Sequence, residues 1–475
     1  MVSRETEEKI RKLAAIDKKI ADSSWLFYLS GEGEERKSAD ELIDMLVFQK
    51  LKKDYEEKIF LKSAPPPVCN GSYFLGMVLY PAGKHYCPFG LREDEWVKHL
   101  LITGMTGAGK TNLVFHILKE LKKKNKPFMV FDWKRNYRDL LQLPEFKDLL
   151  VFTIGKQVTP FHFNPLLPPP GTEPGEWLMK LVDVLKHAYF VGEGVEYVLR
   201  EAIDRVYEHC GFYDITKTET PTFYMVRDYV HKKKMQGRMS LWKTSAMRVL
   251  ESLCFRHGLG SVVNGDTAWA HAQLLHSPII LELDLLSDSD KIFFVEAMIL
   301  WLYEFRKNEG KREEFKHALL IEEAHHILSR AKESLEGAET IIETSLRQIR
   351  EFGEAVIVID QEPSKLSNSI KANTYCKITF NLGNGDDMKD IASCIALTEE
   401  ESGYIDLLDV GHAIVSLKGR IHVPLHVVFP KIDIRKGLVT NDDLKGSLLN
   451  KKTEEKIIEE QKEIPNLNDI WRKLR

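Results

Sequence analysis

At 475 residues, with 43% hydrophobic and 29% charged, the chain is too long for one compact core, and its composition is that of a soluble globular protein rather than a disordered or fibrous one. Lys and Arg number 67 against 71 Asp and Glu, a net charge of −4, so a nucleic-acid partner would need a local basic surface rather than a globally basic chain. There is no apolar run of the roughly eighteen residues a membrane span needs, and the six cysteines include no C-x-x-C pair, which excludes a disulfide frame or zinc site and suits reduced thiols in the cytoplasm.

The start of the chain is acidic and helical, unlike a signal peptide. Up to about residue 62 the periodicity predicts helices. Ile10, Leu13, Ile16 and Ile20 make one stripe; Leu42, Ile43, Leu46, Val47 and Leu51 make another, starting near Ser38–Asp40, with Gly31 to Gly33 between them. Ala64 to Pro67 reads as a turn, and Phe74 to Leu79 as a short strand. His85 and Cys87 lack further ligands at metal-binding spacing and read as structural.

Leu100 to Ile102 ends a buried strand. Gly104 to Thr111 then matches G-x-x-x-x-G-K-[ST], and Leu113, Val114, Ile117, Leu118 and Leu121 open a helix. Strand, glycine-rich loop and helix N-terminus make an anion cradle, because backbone N–H groups converge there and the helix dipole adds positive potential. The loop residues Gly104, Met105, Thr106, Gly107, Ala108, Gly109, Lys110, Thr111 and Asn112 are therefore assigned to ATP. Lys110 reaches the β- and γ-phosphates, and Thr111 is a ligand for Mg²⁺.

Lys122 to Lys126 suits the end of that helix. Pro127 to Asp132 is a second buried strand, ending where open α/β sheets place ligand contacts, in the segment Asp132–Tyr137. Leu149 to Ile154 is a third. Phe163 to Gly171 breaks regular structure, and from Glu176 to about Phe255 the pattern is helical, with a basic patch at His231 to Lys234 and Arg238. Pro278 to Leu283 resumes the strands, and Ile292 to Glu304 is a strongly apolar helix. Ala318 to Ile321 runs into Glu322 and Glu323, four apolar residues followed by two acids. That is the Walker B arrangement. Glu322 is assigned to the Mg²⁺ shell and Glu323 to polarising the attacking water. Ala355 to Ile359 is a strand ending at Asp360 and Gln361, a polar tip placed to read the γ-phosphate. Tyr375 to Leu382 follows, and Gly411–Leu417 with Val423–Val428 reads as an antiparallel pair. Beyond Arg435, Glu454 to Ile464 is a charged helix and Ile464 to Leu474 a docking segment.

With these residues in place, the chain resembles the HerA-like branch of the HerA–FtsK ring ATPases over about residues 70–430. Leu101 to Asn112 looks like that family's P-loop, Asp132–Tyr137 its Asp-x-x-Gly-Glu-Tyr segment, and Phe163 to Leu166 its Asn-Pro-Leu entry into a helical insertion. Ile321 to His325 is similar to its Walker B. Arg350 to Gly353 followed by Asp360 to Ser364 is similar to its signatures of a basic residue before glycine and of Gln-x-Pro-Ser. Glu322 stands where the family has Asp, and Arg135-Asn136 where it has Gly-Glu. The stretch between Pro65 and His99 is too short for the β-barrel of archaeal HerA.

The resemblance implies an α/β fold: a RecA-like P-loop core with a mainly parallel sheet, a helical insertion and helical extensions at both ends. The expected division is an N-terminal helical region at 1–62, a short β-rich lead-in at 63–97, the ATPase core at 98–165 and 271–430, the insertion at 166–270 and a helical tail at 431–475. It also implies a cytoplasmic homo-oligomer, a hexamer, with ATP and Mg²⁺ at subunit interfaces and double-stranded DNA in the pore. A nuclease or effector partner would act with it in end processing or antiviral defence. Arg350, with Arg347 in reserve, is placed by the resemblance as the cation supplied to the neighbouring subunit's site. Two other functions share the same motifs: a VirB-type secretion or conjugation ATPase, and a nucleotide-gated scaffold for a partner effector.

Overall fold

The computed structural model describes residues 4–51, 59, 61–62, 64–80, 84–213, 219–265, 274–310, 312, 314–330 and 340–449. Its strands are β1 (Tyr73–Tyr80), β2 (Lys84–Leu91), β3 (Leu100–Thr103), β4 (Phe128–Asp132), β5 (Leu150–Thr153), β6 (Ile279–Glu282), β7 (His317–Glu322), β8 (Glu354–Asp360), β9 (Cys376–Thr379), β10 (His412–Leu417) and β11 (Leu425–Val428). Among the described residues they form one 11-stranded sheet in the order β2-β1-β11-β10-β9-β3-β8-β7-β4-β6-β5.

From β9 to β5 every neighbouring pair is parallel. These strands are short unbroken apolar runs because helices cover both faces, and no face has to meet water. The consequence is visible in β3, β4, β7 and β8, which are buried at every position. From β9 to β2 the pairing turns antiparallel. The stretch expected as a separate lead-in therefore joins the same sheet, through Met77–Val428 and Val78–Val427. β2 carries Pro88 and Gly90, which argue against a central strand. It lies at the sheet edge, where a residue without N–H is tolerated, and its Cys87, Phe89 and Leu91 alternate inward.

The N-terminal segment forms three helices rather than two, Arg4–Ile16, Lys18–Ser30 and Glu34–Leu51, around a small cluster of Ile10, Leu13, Ala21, Tyr28, Ala39 and Ile43. The first stripe is cut at Asp17, whose carboxylate caps the next helix by accepting the Ile20 N–H at 3.3 Å. The third helix begins at Glu34, ahead of the expected start at Ser38–Asp40, with Glu34 and Glu35 in its first turn.

Between β5 and β6 lie helices Pro174–Tyr189, Glu193–His209, Phe223–Lys232 and Arg238–Cys254. A buried polar knot fixes their entry. Asn164 donates to the Pro221 carbonyl at 2.8 Å and accepts the Leu166 N–H, while Trp177 and Tyr207 donate to the carbonyls of Pro165 and Leu166. Helix Asp288–Glu309, buried along most of its length, carries this layer back onto the sheet.

The tail departs from the expected helix. Pro430 to Thr440 has no regular structure and crosses the strand tips as a strap, and a helix starts only at Asn441. Asp139 accepts the N–H groups of Gly437, Leu438 and Val439, and Gln142 exchanges two hydrogen bonds with Arg435. The helix expected from Glu454 and the docking segment from Ile464 lie outside the described residues.

Candidate active site

The P-loop leaves β3 at Gly104 and enters helix Lys110–Lys123. Two of its glycines are required by packing. A Cβ on Gly104 would meet the Phe380 Cβ at 2.6 Å, and one on Gly109, whose φ is +119°, would meet the Gly411 nitrogen at 3.0 Å. β10 thus backs directly onto the loop, and the Gly411 N–H donates to the Ala108 carbonyl at 2.9 Å. Lys110 folds over the cradle and donates to the carbonyls of Gly104 and Met105. Burial lowers its ammonium to about 8, against the pull of Glu323, Asp360 and Glu322. The Asn112 side chain takes no part in the cradle. Its amide donates to the Pro430 carbonyl and its oxygen accepts the Ile432 N–H, so it anchors the strap, and only its backbone remains for nucleotide.

β8 pairs with β3, with β7 and then β4 beyond it, and the tips of these three strands carry the acids. Glu322, buried at the end of β7, accepts the Asn136 amide at 3.0 Å through Oε1. Its other oxygen is buried without a hydrogen bond among the described residues, an orphan that suits a cation. Burial raises the Glu322 carboxyl, and Asp132 beside it is raised by burial and by Glu322, so a divalent cation would relieve both. A magnesium site of this kind needs only one or two carboxylates plus phosphate oxygens.

Glu323 follows with φ +50°, ψ +46°, a left-handed conformation uncommon for a non-glycine residue and frequent at functional sites. Its Oε1 accepts Lys134 Nζ at 2.5 Å and also the Gln361 amide, and Gln361 Oε1 accepts the Thr106 hydroxyl at 2.5 Å. A continuous path therefore joins the P-loop to Glu323. Asp360 supports it from behind, accepting the His325 N–H at 2.7 Å and lying 3.0 Å from His325 Nδ1. Burial disfavours the charged imidazole, but the Asp360 contact outweighs it and raises His325.

Asp132 organises the β4 tip. Asp132 accepts three backbone N–H groups, from Lys134, Asn136 and Tyr137, and so folds the loop. Arg135 sits at φ +60°, the conformation glycine enters freely, and Asn136 supplies an amide donor to Glu322 that glutamate could not. Sequence reasoning missed Lys134 and Asn136, although it flagged the segment that carries them.

Arg347 and Arg350 do not join this cluster. Both are exposed and precede β8. The seven residues of β8, at about 3.3 Å each, put roughly 20 Å between its start and the Gln361 tip. Neither adjacent acid is paired with Arg350 among the described residues: Glu354 is held by Arg306 and His317, and Glu351 faces Arg312. The basic run is largely spent locally, Lys122 on Asp148, Lys123 on Glu120 and Lys126 on Glu93, and in the second patch Lys233 pairs with Glu201.

The family model described as the central domain of helicase HerA matches residues 74–253. Over 360 residues the chain is 23% identical to the DNA double-strand break repair helicase HerA of Saccharolobus solfataricus, covering 74% of this chain and 67% of that one. The chain is an ATPase similar to the HerA helicases. It spans about two thirds of the curated relatives it matches, a probable helicase of Methanocaldococcus jannaschii being covered over 66%. The fold of this ATPase is shared with VirB4 of Thermoanaerobacter pseudethanolicus (TM-score 0.57, 16% identity, 77% of this chain and 99% of that one). It is shared also with the plasmid coupling protein TrwB in complex with the ATP analogue ADPNP (TM-score 0.54, 14% identity, 73% and 88%). Among the described residues no helix is long and apolar enough to cross a membrane.

Proposed function

We propose that this ATPase is a ring motor that translocates on double-stranded DNA, with each ATP held between neighbouring subunits in a hexamer. The observation that carries the ring is the position of Arg350. It is an exposed cation at the far end of β8 from its own P-loop, which supports a role at a neighbour's nucleotide. The HerA relative's name as a DNA double-strand break repair helicase supports DNA as the substrate. A nuclease or effector, in end processing or antiviral defence, would be a partner acting beside the motor. Fold likeness to VirB4 leaves protein secretion as the second reading, which DNA stimulation separates.

In this reading the P-loop amides and Lys110 hold the phosphates, and Lys110 recovers its proton affinity as phosphate charge replaces the loop carbonyls. Thr111 and Glu322 are the residues that would hold Mg²⁺, as TrwB binds ADP and Mg²⁺ on a similar fold. The ion supplies charge neutralisation at the β- and γ-phosphates. Glu323 accepts the proton of the attacking water. Gln361 links that carboxylate to Thr106 and so relays the state of the loop.

Double-stranded DNA should raise ATP turnover of the purified protein. Gln361→Ala should keep ATP binding and lose most of that stimulation. A steady-state ATPase titration with duplex DNA checks both. Duplex that leaves wild-type turnover unchanged would refute the DNA motor. Equal loss of binding and stimulation in Gln361→Ala, with a lowered Tm, would make Gln361 a structural residue.

A further inference from the structure

The proposed hydrolysis leaves one cation at the site without a role. Lys134 is half exposed, at 52%, yet its ammonium lies 2.5 Å from a carboxylate that is only 8% exposed, that of Glu323. The oxygen it contacts, Oε1, also accepts the Gln361 amide. An oxygen already accepting two hydrogen bonds, one of them charge-assisted, is poorly placed to take a proton from water. Oε1 of Glu323 is therefore engaged, while its Oε2 lies 3.8 Å from His325 Nδ1.

The surroundings favour an exchange of partners. The backbones at Glu323 (φ +50°) and Arg135 (φ +60°) are both left-handed, at the side-by-side tips of the paired strands β7 and β4, while the long Lys134 stem keeps its freedom. Lys110 shares the cleft. Burial is the main reason its ammonium is depressed, and the charge of Lys134 adds to it. Two ammonium groups that feel each other's charge suit an anion that arrives between them. The γ-phosphate of ATP is such an anion; ADP lacks it.

We propose that Lys134 is a positioning residue for hydrolysis, restraining Glu323 while the γ-phosphate is absent and transferring its hydrogen bond to a γ-phosphate oxygen when ATP binds, which releases Glu323 to the water. Only a hydrogen-bond partner changes; no covalent bond or proton moves. The inference rests on the reading of the P-loop and of Glu323 given above. It makes Glu323 and the γ-phosphate competitors for one ammonium, so the site distinguishes ATP from ADP before any chemistry.

The test is equilibrium binding of ADP and of the non-hydrolysable analogue ADPNP to the full chain. Lys134→Met should weaken ADPNP by about tenfold to a hundredfold, the range for one hydrogen bond to a charged group, and leave ADP unchanged. Lys134→Arg should restore most of the preference. Glu323→Gln should tighten ADPNP but not ADP, and Lys134→Met should erase that gain in the double variant. A lysine of purely structural use would weaken both nucleotides together and lower Tm. An unchanged ADPNP-to-ADP ratio in Lys134→Met, or a Glu323→Gln gain that persists in the double variant, overturns the proposal. Lys110→Ala and the turnover of Glu323→Gln report separately on the underlying reading. Unaltered nucleotide binding by the first, or wild-type hydrolysis by the second, would refute that reading whatever Lys134 does.

Discussion

Arg350→Ala is expected to hydrolyse ATP about 10³- to 10⁵-fold more slowly than wild type, the contribution of an arginine supplied across an interface to a developing γ-phosphate charge. Its own strand separates it from its own P-loop, and neither Glu351 nor Glu354 pairs with it, so loss of its charge disturbs little within the subunit. An exposed ion pair would be worth only about 0–1 kcal/mol in any case. The decisive form of the experiment mixes two inactive proteins. Glu323→Gln retains the cation and lacks the acceptor for the water proton; Arg350→Ala retains the acceptor and lacks the cation. Rings assembled from both contain some interfaces with an intact Glu323 and a neighbour's intact Arg350, and ATPase activity should return in part. Rings shown to contain both proteins, yet inactive at every mixing ratio, would remove Arg350 from the site. The same experiment on Arg347, in the last turn of the helix Ile341–Gln348 just before, decides between the two.

Lys110→Ala should lose about two to three orders of magnitude in turnover, the usual cost of removing one preorganised charge-stabilising donor, with Tm close to wild type. The fold is expected to survive because Lys110 holds only the two loop carbonyls of Gly104 and Met105, while Gly104, Gly109 and the β10 contact shape the loop. Removal of the ammonium also removes a buried cation whose burial already works against it, which offsets part of any loss in stability. Wild-type hydrolysis by this variant would sink the P-loop assignment.

The sheet was readable from the chain because parallel strands buried on both faces are unbroken apolar runs. Leu100 to Ile102, Phe128 to Phe131 and Ala318 to Ile321 needed no alternation to be recognised. β2 was hidden because Pro88 and Gly90 are breakers everywhere except at an edge, and edge position is a property of the whole sheet. Asp17 lay inside an apolar stripe whose period continues across it, so its capping role showed only once the chain turned there. The motifs located the strand tips, but side-chain roles within them depend on direction. Asn112 sits in the P-loop signature and turns to the strap, whereas Lys134 sits between motif positions and turns to Glu323. Arg135-Asn136 stands where the resembled pattern has Gly-Glu. In the fold it is an exchange, a left-handed arginine and an amide donor to Glu322.

Translocation on DNA is tested most directly by displacement of a triplex-forming strand from a linear duplex by the purified protein. The account predicts displacement that requires hydrolysable ATP, is absent with ADPNP and is lost in Lys110→Ala. An active ATPase that binds the duplex and leaves the third strand in place would contradict it.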